Sequence, residues 1–218
     1  MKRFIQIALG LLTLAFALQA TAEEAFPTRP VRILVPFAAG GGADVYARVV
    51  GQELSTLWKQ PVVVENRVGA SGQIALQAML AAPRDGYTIT IVSSSHALNP
   101  LLNAKLPYDT EKDFIPITQV AQAANVLVVP ANSPYKTVRE LIEDARKRPG
   151  SLSYGMAGNA TSAHLAGELL KSLARLDVAA VPYKGGMPFM TDLIAGHVPF
   201  GFSSVPETAP FIKTGKMR

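Results

Sequence analysis

The sequence contains no cysteine among its 218 residues. A disulfide scaffold, a zinc finger, an iron–sulfur site, a thiol nucleophile and a lipid anchor on cysteine are therefore excluded. Charged residues are also scarce, at 17% of the chain, whereas 49% of the residues are hydrophobic. This balance excludes global disorder, disfavours coiled coils and indicates a chain that can bury a hydrophobic core.

The distribution of basic residues and of histidines argues against nucleic-acid binding and against a metal site. Basic residues exceed acidic ones by five, but they are scattered apart from Arg146-Lys147-Arg148 and do not alternate with aromatic residues. We therefore expect no nucleic-acid partner. The three histidines, His96, His164 and His197, are far apart and lack metal-ligand spacing, so we expect neither a metal nor a cofactor.

The N-terminus is predicted to be a cleaved secretory signal over residues 1–22. Lys2 and Arg3 precede an apolar run from Phe4 to Leu18, and Ala20-Thr21-Ala22 supplies the small residues that a signal peptidase requires. The run of about 15 residues is shorter than the roughly 20 that span a bilayer, and a membrane anchor is the alternative. Export without cysteine favours a bacterial periplasm.

After residue 28, short β-branched runs alternate with helical patterns, which predicts an α/β fold with parallel strands. Two similar halves predict two lobes, residues 23–125 and 126–218. Thr137 and Glu140 have the spacing of a capping box. The predicted strands are 31–35, 61–65, 88–92, 115–120, 125–129, 151–154, 178–181 and 198–202. The predicted helices are 44–58, 72–81, 137–147, 162–173 and 187–194.

The first of two glycine-rich turns covers residues 35–44 and contains Gly40-Gly41-Gly42. Glycines let a ligand approach the backbone, and the start of the following helix offers unpaired N–H groups and a partial positive charge. The turn is therefore a candidate anion site, although it matches neither a Walker A loop nor the dinucleotide fingerprint. Asp44 is expected either to cap the helix or to contact a ligand.

The second glycine-rich turn covers residues 153–164 and also leads from a strand into a helix. Asn159, Thr161 and Ser162 can cap that helix or donate to a ligand oxygen. His164 is either a packing or capping residue or a catalyst. If the two lobes face each other, both helix starts point into one cleft, which suits a small molecule with two anionic ends.

Two weaker candidates follow other predicted strands. Ser94 lies in the run Ser93-Ser94-Ser95, and its hydroxyl either reaches the cleft or belongs to a polar loop. Lys184 follows the strand at 178–181 and either supplies a positive charge or is solvated. Paired carboxylates for acid–base catalysis cannot be assigned.

Six segments carry a resemblance to one family: RPVRILVPF with GGGAD at 29–44, PVVVENR with GASG at 61–72, DGYT at 85–88, SPYKT through PG at 133–150, GN through HLAGE at 158–168, and VPYKG at 181–185. Together they resemble the Bug, or TctC-type, periplasmic substrate-binding proteins of tripartite tricarboxylate transporters, over essentially all of 24–218. The resemblance implies a two-lobed type II periplasmic-binding-protein fold and a receptor without catalytic activity. Its ligand would be a di- or tricarboxylate, an acidic amino acid or an aromatic acid, passed to the membrane subunits of the transporter.

The resemblance also implies which residues hold the ligand carboxylates, partly through ordered water. They are Phe37, Gly41, Gly42, Ala43 and Asp44 in the first turn, and Gly158, Asn159, Ala160, Thr161 and His164 in the second. The sequence departs from the family at two positions, because Ala160 stands where members often have glycine and Ala163 where many have proline. The alanine at position 160 affects which backbone N–H groups of the second turn reach the ligand carboxylate.

Members of that family usually continue beyond the length of this chain and return to the first lobe. We therefore expect a fold that is incomplete at the C-terminus, with residues 211–218 starting the returning strand. Two other functions remain open at this point. One is an exported α/β hydrolase that uses Ser162, His164 and Asp44, although it lacks a nucleophile elbow, and the other is a ligand-sensing signalling protein.

Overall fold

The structure is a computed structural model that describes residues 26–103 and 105–218. The predicted signal at 1–22 lies outside the described residues. Within the described ranges, no helix combines the length and the apolar character needed to cross a bilayer.

The N-terminal sheet has three parallel strands in the order β2-β1-β3. They are β1 (Val31–Val35), β2 (Val62–Asn66) and β3 (Thr88–Thr90). The helices of this half are α1 (Gly42–Trp58), α2 (Gln73–Leu80) and α3 (Ser95–Leu102), with a 3₁₀ turn at Ala70–Gly72. Because the strands are parallel, each carboxyl end leads into a connection at the same edge of the sheet.

The C-terminal sheet has four strands in the order β4-β7-β5-β6. They are β4 (Asn125–Val128), β5 (Leu152–Met156), β6 (Val178–Pro182) and β7 (Phe200–Ser204). Strands β6 and β7 are parallel to β5, whereas β4 is antiparallel to β7. The helices of this half are α4 (Val138–Lys147), α5 (Ser162–Ala174), α6 (Gly186–Ala195) and α7 (Val205–Lys213). The observed α/β architecture confirms the predicted fold class.

The C-terminal sheet is covered on both faces, as expected for largely parallel strands. On one face, Tyr154 and Phe200 pack with Leu141 of α4. On the other face, Phe189 and Leu193 of α6 form a separate buried cluster. Burial on both faces fixes the strand ends, and with them the loops that follow each strand.

Two glycines let α6 lie close against this sheet. Gly155 of β5 and Gly201 of β7 are paired neighbours, and the fully buried ring of Phe189 lies over both. A Cβ atom on either glycine would come closer than 3.0 Å to that ring. Glycine is therefore required at both positions because helix and sheet approach each other so closely.

The predicted capping box at the start of α4 is confirmed. The Thr137 hydroxyl accepts the N–H of Glu140 at 3.2 Å, and the Glu140 carboxylate accepts the N–H of Thr137 at 3.3 Å. This reciprocal pair fixes the residue at which the helix begins.

One predicted strand is wrong. Residues 115–120 form no strand: Pro116 has no N–H to donate, and the side chains of Ile115 and Ile117 are largely exposed, so neither sheet pairs with this run. Residues 211–213 complete helix α7, and residues 216–218 pair antiparallel with 129–131 around the bridge of Met217 to Pro130, so a strand that returns to the first half stays a prediction. The two sheets use strands from 31–90 and 125–204, and the division into lobes at residue 125 stays a prediction.

Candidate functional site

A cleft of about 120 Å³ lies between the two sheets, where the carboxyl ends of their strands face one another. It is lined by Phe37, Gly41 and Gly42 of the first glycine-rich turn and by Thr161 of the second. A larger hollow of about 270 Å³ lies beside the N-terminal sheet, between Arg67 and the end of α2, and neither turn lines it. The cleft is therefore the place where the predicted ligand loops come together.

The first turn is held from inside by Asp44, whose side chain is almost fully buried. Its Oδ2 accepts the Gly40 N–H and the Arg48 Nε–H, both at 2.9 Å, and its Oδ1 accepts Asn66 Nδ2–H at 2.9 Å. Asn66 also donates to the Phe37 carbonyl at 3.0 Å. Asp44 thus shapes the turn. It does not occupy the N-cap position of α1, which is held by Gly41, a residue without a side chain that could cap the helix.

Opposing effects set the pKa of the Asp44 carboxyl. Burial raises it, but hydrogen bonds from Arg48, Gly40 and Asn66 and the charge of Arg48 together hold the pKa below its ordinary value of 3.8. The ionised form is therefore the one that stabilises the fold. Because the folded-state pKa is depressed, this stabilisation is present above the ordinary value and is lost as the pH falls through the folded-state pKa.

The substitution Asp44→Asn is accordingly expected to lower the free energy of unfolding at neutral pH by about 1–3 kcal/mol, since charge-assisted hydrogen bonds are replaced by weaker ones. Urea unfolding monitored by circular dichroism at several pH values measures the effect. The difference from wild type should shrink once the pH drops below 3.8. A constant difference down to pH ~2 would contradict the proposed role of the carboxylate charge.

The second turn is organised by Thr161, the N-cap residue of α5. Its Oγ1 accepts the His164 N–H at 3.2 Å and donates to the Gly158 carbonyl at 2.7 Å. His164 Nδ1 accepts the N–H of Ala160, whose φ of 60° lies in the left-handed region. Ala160 thus has a backbone conformation that favours glycine, held by the histidine ring.

The first backbone N–H groups of α5 have no acceptor within the helix. The hydrogen bond from Leu165 N–H to the Thr161 carbonyl is the first of the helical series, so Ser162 and Ala163 precede it. Both residues line the cleft. The start of α5 therefore offers two backbone donors and the positive end of a helix dipole to an anion.

The two halves touch beside the cleft through a backbone contact between Ala38 and the turn at Lys184-Gly185. The N–H of Ala38 donates to the Lys184 carbonyl at 3.0 Å. Gly185 has a φ of 137°, and a Cβ atom there would lie 3.0 Å from the Ala38 nitrogen. Only glycine allows this approach, because such a φ is strained for any other residue.

A carboxylate from the C-terminal half also reaches the start of α1. Glu207 of α7 accepts the Gly42 N–H on Oε1 at 2.6 Å and the hydroxyls of Ser203 and Ser204 on Oε2 at 2.7 and 3.0 Å. All four residues line the cleft. The N-terminus of α1 is thus already paired with a negative charge of the protein.

Several predicted site residues do not line the cleft: Ala43, Asp44, Ser94, Gly158, Asn159, Ala160, His164 and Lys184. Lys184 contributes its carbonyl to the contact between the halves while the residue is exposed, and it is Ser93 that borders the cleft next to Ser94. Asp44, Ala160 and His164 support the turns from behind. Direct roles of these residues toward a ligand stay predictions.

The cleft includes residues that the sequence reasoning missed: Ser93, Asn125, Gly186, Ser203, Ser204 and Glu207. Ser203 and Ser204 end strand β7, and Gly186 begins the helix after β6. The same rule that pointed to the first two turns, that ligands bind at carboxyl ends of strands, could have found these three. No local signal pointed to Glu207.

The residues of the hydrolase alternative do not assemble into a catalytic group. The His164 ring has Ala160 N–H on Nδ1 and lies 4.0 Å from Glu168 through Nε2. Among the hydrogen bonds of the described residues, none joins His164 to Ser162, and the oxygens of Asp44 are bonded to other groups. A nucleophile–base–carboxylate chain is therefore not formed.

Comparison with known sequences gives consistent matches. The family model described as "Tripartite tricarboxylate transporter family receptor" matches residues 46–218. The UPF0065 protein in the tcbD-tcbE intergenic region of Pseudomonas sp. (strain P51) is 36% identical to the chain over 217 residues. That match covers 100% of this chain and 65% of the relative, so the chain spans about 65% of that protein's length.

Solved structures agree in fold. A structure described as that of a periplasmic transporter is 41% identical with a TM-score of 0.84, and it matches 89% of this chain and 65% of its own. R. palustris Rpa4515 with adipate is 38% identical with a TM-score of 0.85, at 88% and 65% coverage. MatC from Rhodopseudomonas palustris with bound malate is 29% identical with a TM-score of 0.82, at 88% and 66% coverage.

Proposed function

The chain belongs to the tripartite tricarboxylate transporter receptor family, and from this premise we propose that it is a periplasmic receptor for a small carboxylate. The receptor would bind its ligand without chemical change and deliver it to the membrane subunits of a transporter. Such a role requires a cleft with anion-binding groups rather than a catalytic group.

One observation carries the proposal: two glycine-rich turns from different sheets border one cleft, and a helix starts after each of them. At the start of α5, the N–H groups of Ser162 and Ala163 are free of intrahelical partners. Backbone donors at a helix start bind an oxyanion without any arginine. The Thr161 hydroxyl donates to the Gly158 carbonyl, so it holds the turn in place beneath those donors.

The neighbouring structures support the choice of ligand class. Rpa4515 holds adipate and MatC holds malate, and both are aliphatic acids with two carboxyl groups. Both proteins match this chain over 88% of its length. We therefore propose an acid of similar size as the ligand class, with its carboxylate at the start of α5.

Binding should be visible as stabilisation. A fitting acid at about 100 times its dissociation constant is expected to stabilise the folded chain by about 2.7 kcal/mol, because it binds only the native state. A thermal-shift screen of aliphatic diacids, hydroxy acids, amino acids and aromatic acids measures this. Alcohols of matched carbon skeleton serve as controls that lack the anion. Melting temperatures unchanged by every acid would contradict the proposal.

A further inference from the structure

Glu207 places a carboxylate in the cleft that the start of α5 also lines. Its Oε1 lies 2.6 Å from the Gly42 nitrogen at the start of α1. Gly186, at the start of α6, packs so closely on this carboxylate that a Cβ atom there would collide with it. The carboxylate therefore occupies the position between two helix starts that an incoming anion would otherwise take.

The donors around Glu207 come from neutral groups. Gly42 N–H bonds to Oε1, and the hydroxyls of Ser203 and Ser204 bond to Oε2. Among the ion pairs of residues 26–103 and 105–218, none includes Glu207. The charge of this carboxylate is thus solvated by dipoles but not neutralised by a protein cation.

Glu207 also has room for one more donor. A carboxylate offers about four lone-pair positions, and the protein fills three of them. The remaining position is on Oε1, which the backbones of Gly41, Gly42 and Gly186 flank, in a residue that is partly buried and lines the cleft. A ligand group that donates a hydrogen bond can occupy it, whereas a second ligand carboxylate would be repelled by the like charge.

We propose that Glu207 makes this receptor selective for a monocarboxylate whose far end carries a hydrogen-bond donor, with a protonated nitrogen preferred. The ligand carboxylate lies at the start of α5, on the N–H groups of Ser162 and Ala163. The donor end faces Glu207 Oε1 at the start of α1. This inference rests on the proposed function and replaces the expectation of a ligand with two anionic ends.

The test compares probes of equal length that differ only at one end. They are succinate, glutarate and adipate, the monoamide of each acid, and 4-aminobutanoate, 5-aminopentanoate and 6-aminohexanoate. Affinities are measured by calorimetry for the wild-type chain and for Glu207→Gln. Glutamine retains an oxygen for Gly42 N–H but removes the charge. Glu143→Gln, an exposed position on α4, is the matched control for the loss of one negative charge.

We expect the wild-type chain and Glu143→Gln to bind the best ω-amino acid at least about tenfold more tightly than the diacid of the same carbon number, with the monoamide between them. In Glu207→Gln this preference should vanish or reverse, as expected when a like-charge contact is removed. Thermal unfolding without ligand shows that each variant is folded.

Two results would overturn the inference in distinguishable ways. Equal or tighter binding of a diacid by wild type, with the same order in Glu207→Gln, refutes the selectivity but leaves the receptor function intact. Absence of binding of every probe to wild type and to both variants, together with a thermal-shift screen in which no acid stabilises the chain, refutes the receptor function, and the inference with it.

Discussion

Replacing Ser162 with proline is expected to weaken carboxylate binding by about ten- to a hundredfold without unfolding the chain. Ser162 is the first residue of α5, a position at which proline is well accepted because its missing N–H has no helical partner. The preceding residue, Thr161, has φ −77° and ψ 162°, the extended conformation that proline requires of its neighbour. The substitution therefore removes one backbone donor and the Ser162 hydroxyl from the cleft while the helix start is retained.

The magnitude follows from the type of bond that is lost. A hydrogen bond to a charged group contributes about 1.5–3 kcal/mol, and about 1.4 kcal/mol corresponds to a factor of ten in affinity. Calorimetry with the acid that gives the largest thermal shift measures the change.

The matched control is Ser162→Ala, which keeps the N–H and removes only the hydroxyl. It should change the affinity far less than proline does, and its melting temperature should stay close to that of wild type. If the proline variant binds the acid as tightly as the alanine variant, the ligand does not use the Ser162 N–H. If, in addition, both variants bind more weakly than wild type by the same factor, the contact is made by the hydroxyl instead.

The substitution Gly201→Ala is expected to destabilise the C-terminal half by on the order of 3 kcal/mol or more, at the upper end of overpacking effects. The added Cβ atom would lie closer than 3.0 Å to the Gly155 carbonyl oxygen and to the Phe189 ring. The carbonyl belongs to the neighbouring strand and cannot move without breaking the pairing of β5 with β7. Since native proteins have about 5–15 kcal/mol of stability, this is a large share.

Urea unfolding monitored by circular dichroism measures the loss, and Gly196→Ala is its control. Gly196 follows α6 with a φ of 81°, and a Cβ atom there would have no neighbour within 4 Å. Only the backbone conformation opposes alanine at that site, so we expect a cost of about 1 kcal/mol. If both variants lose the same stability, the close approach of α6 to the sheet is not what requires glycine at 201.

The parts of the fold that follow local rules could be predicted from the sequence. Strand β1 was predicted with its observed bounds, and the start of α4 was fixed by Thr137 and Glu140, because both patterns depend on residues within one element. The glycine-rich turns were also found, since a strand followed by glycines and a helix indicates a binding loop in an α/β sheet.

The parts that depend on distant partners could not be predicted. Residues 115–120 have strand-forming side chains, but a strand needs a neighbour, and neither sheet provides one. Asp44 was expected to cap a helix or contact a ligand, whereas its oxygens bond to Gly40, Arg48 and Asn66. Glu207 meets Gly42 across 165 residues of sequence, and no periodicity reports such a contact.

The glycines at the contact between the halves have a consequence for how such receptors diversify. At Gly40 and Gly185, the spacing of the two halves is set by the Met187 side chain and by the Ala38 backbone. A larger residue at one of these positions would wedge the halves apart and widen the aperture, while the donors at the start of α5 stay where they are. Ligand size can therefore change by single substitutions along this seam, independently of how the carboxylate is recognised.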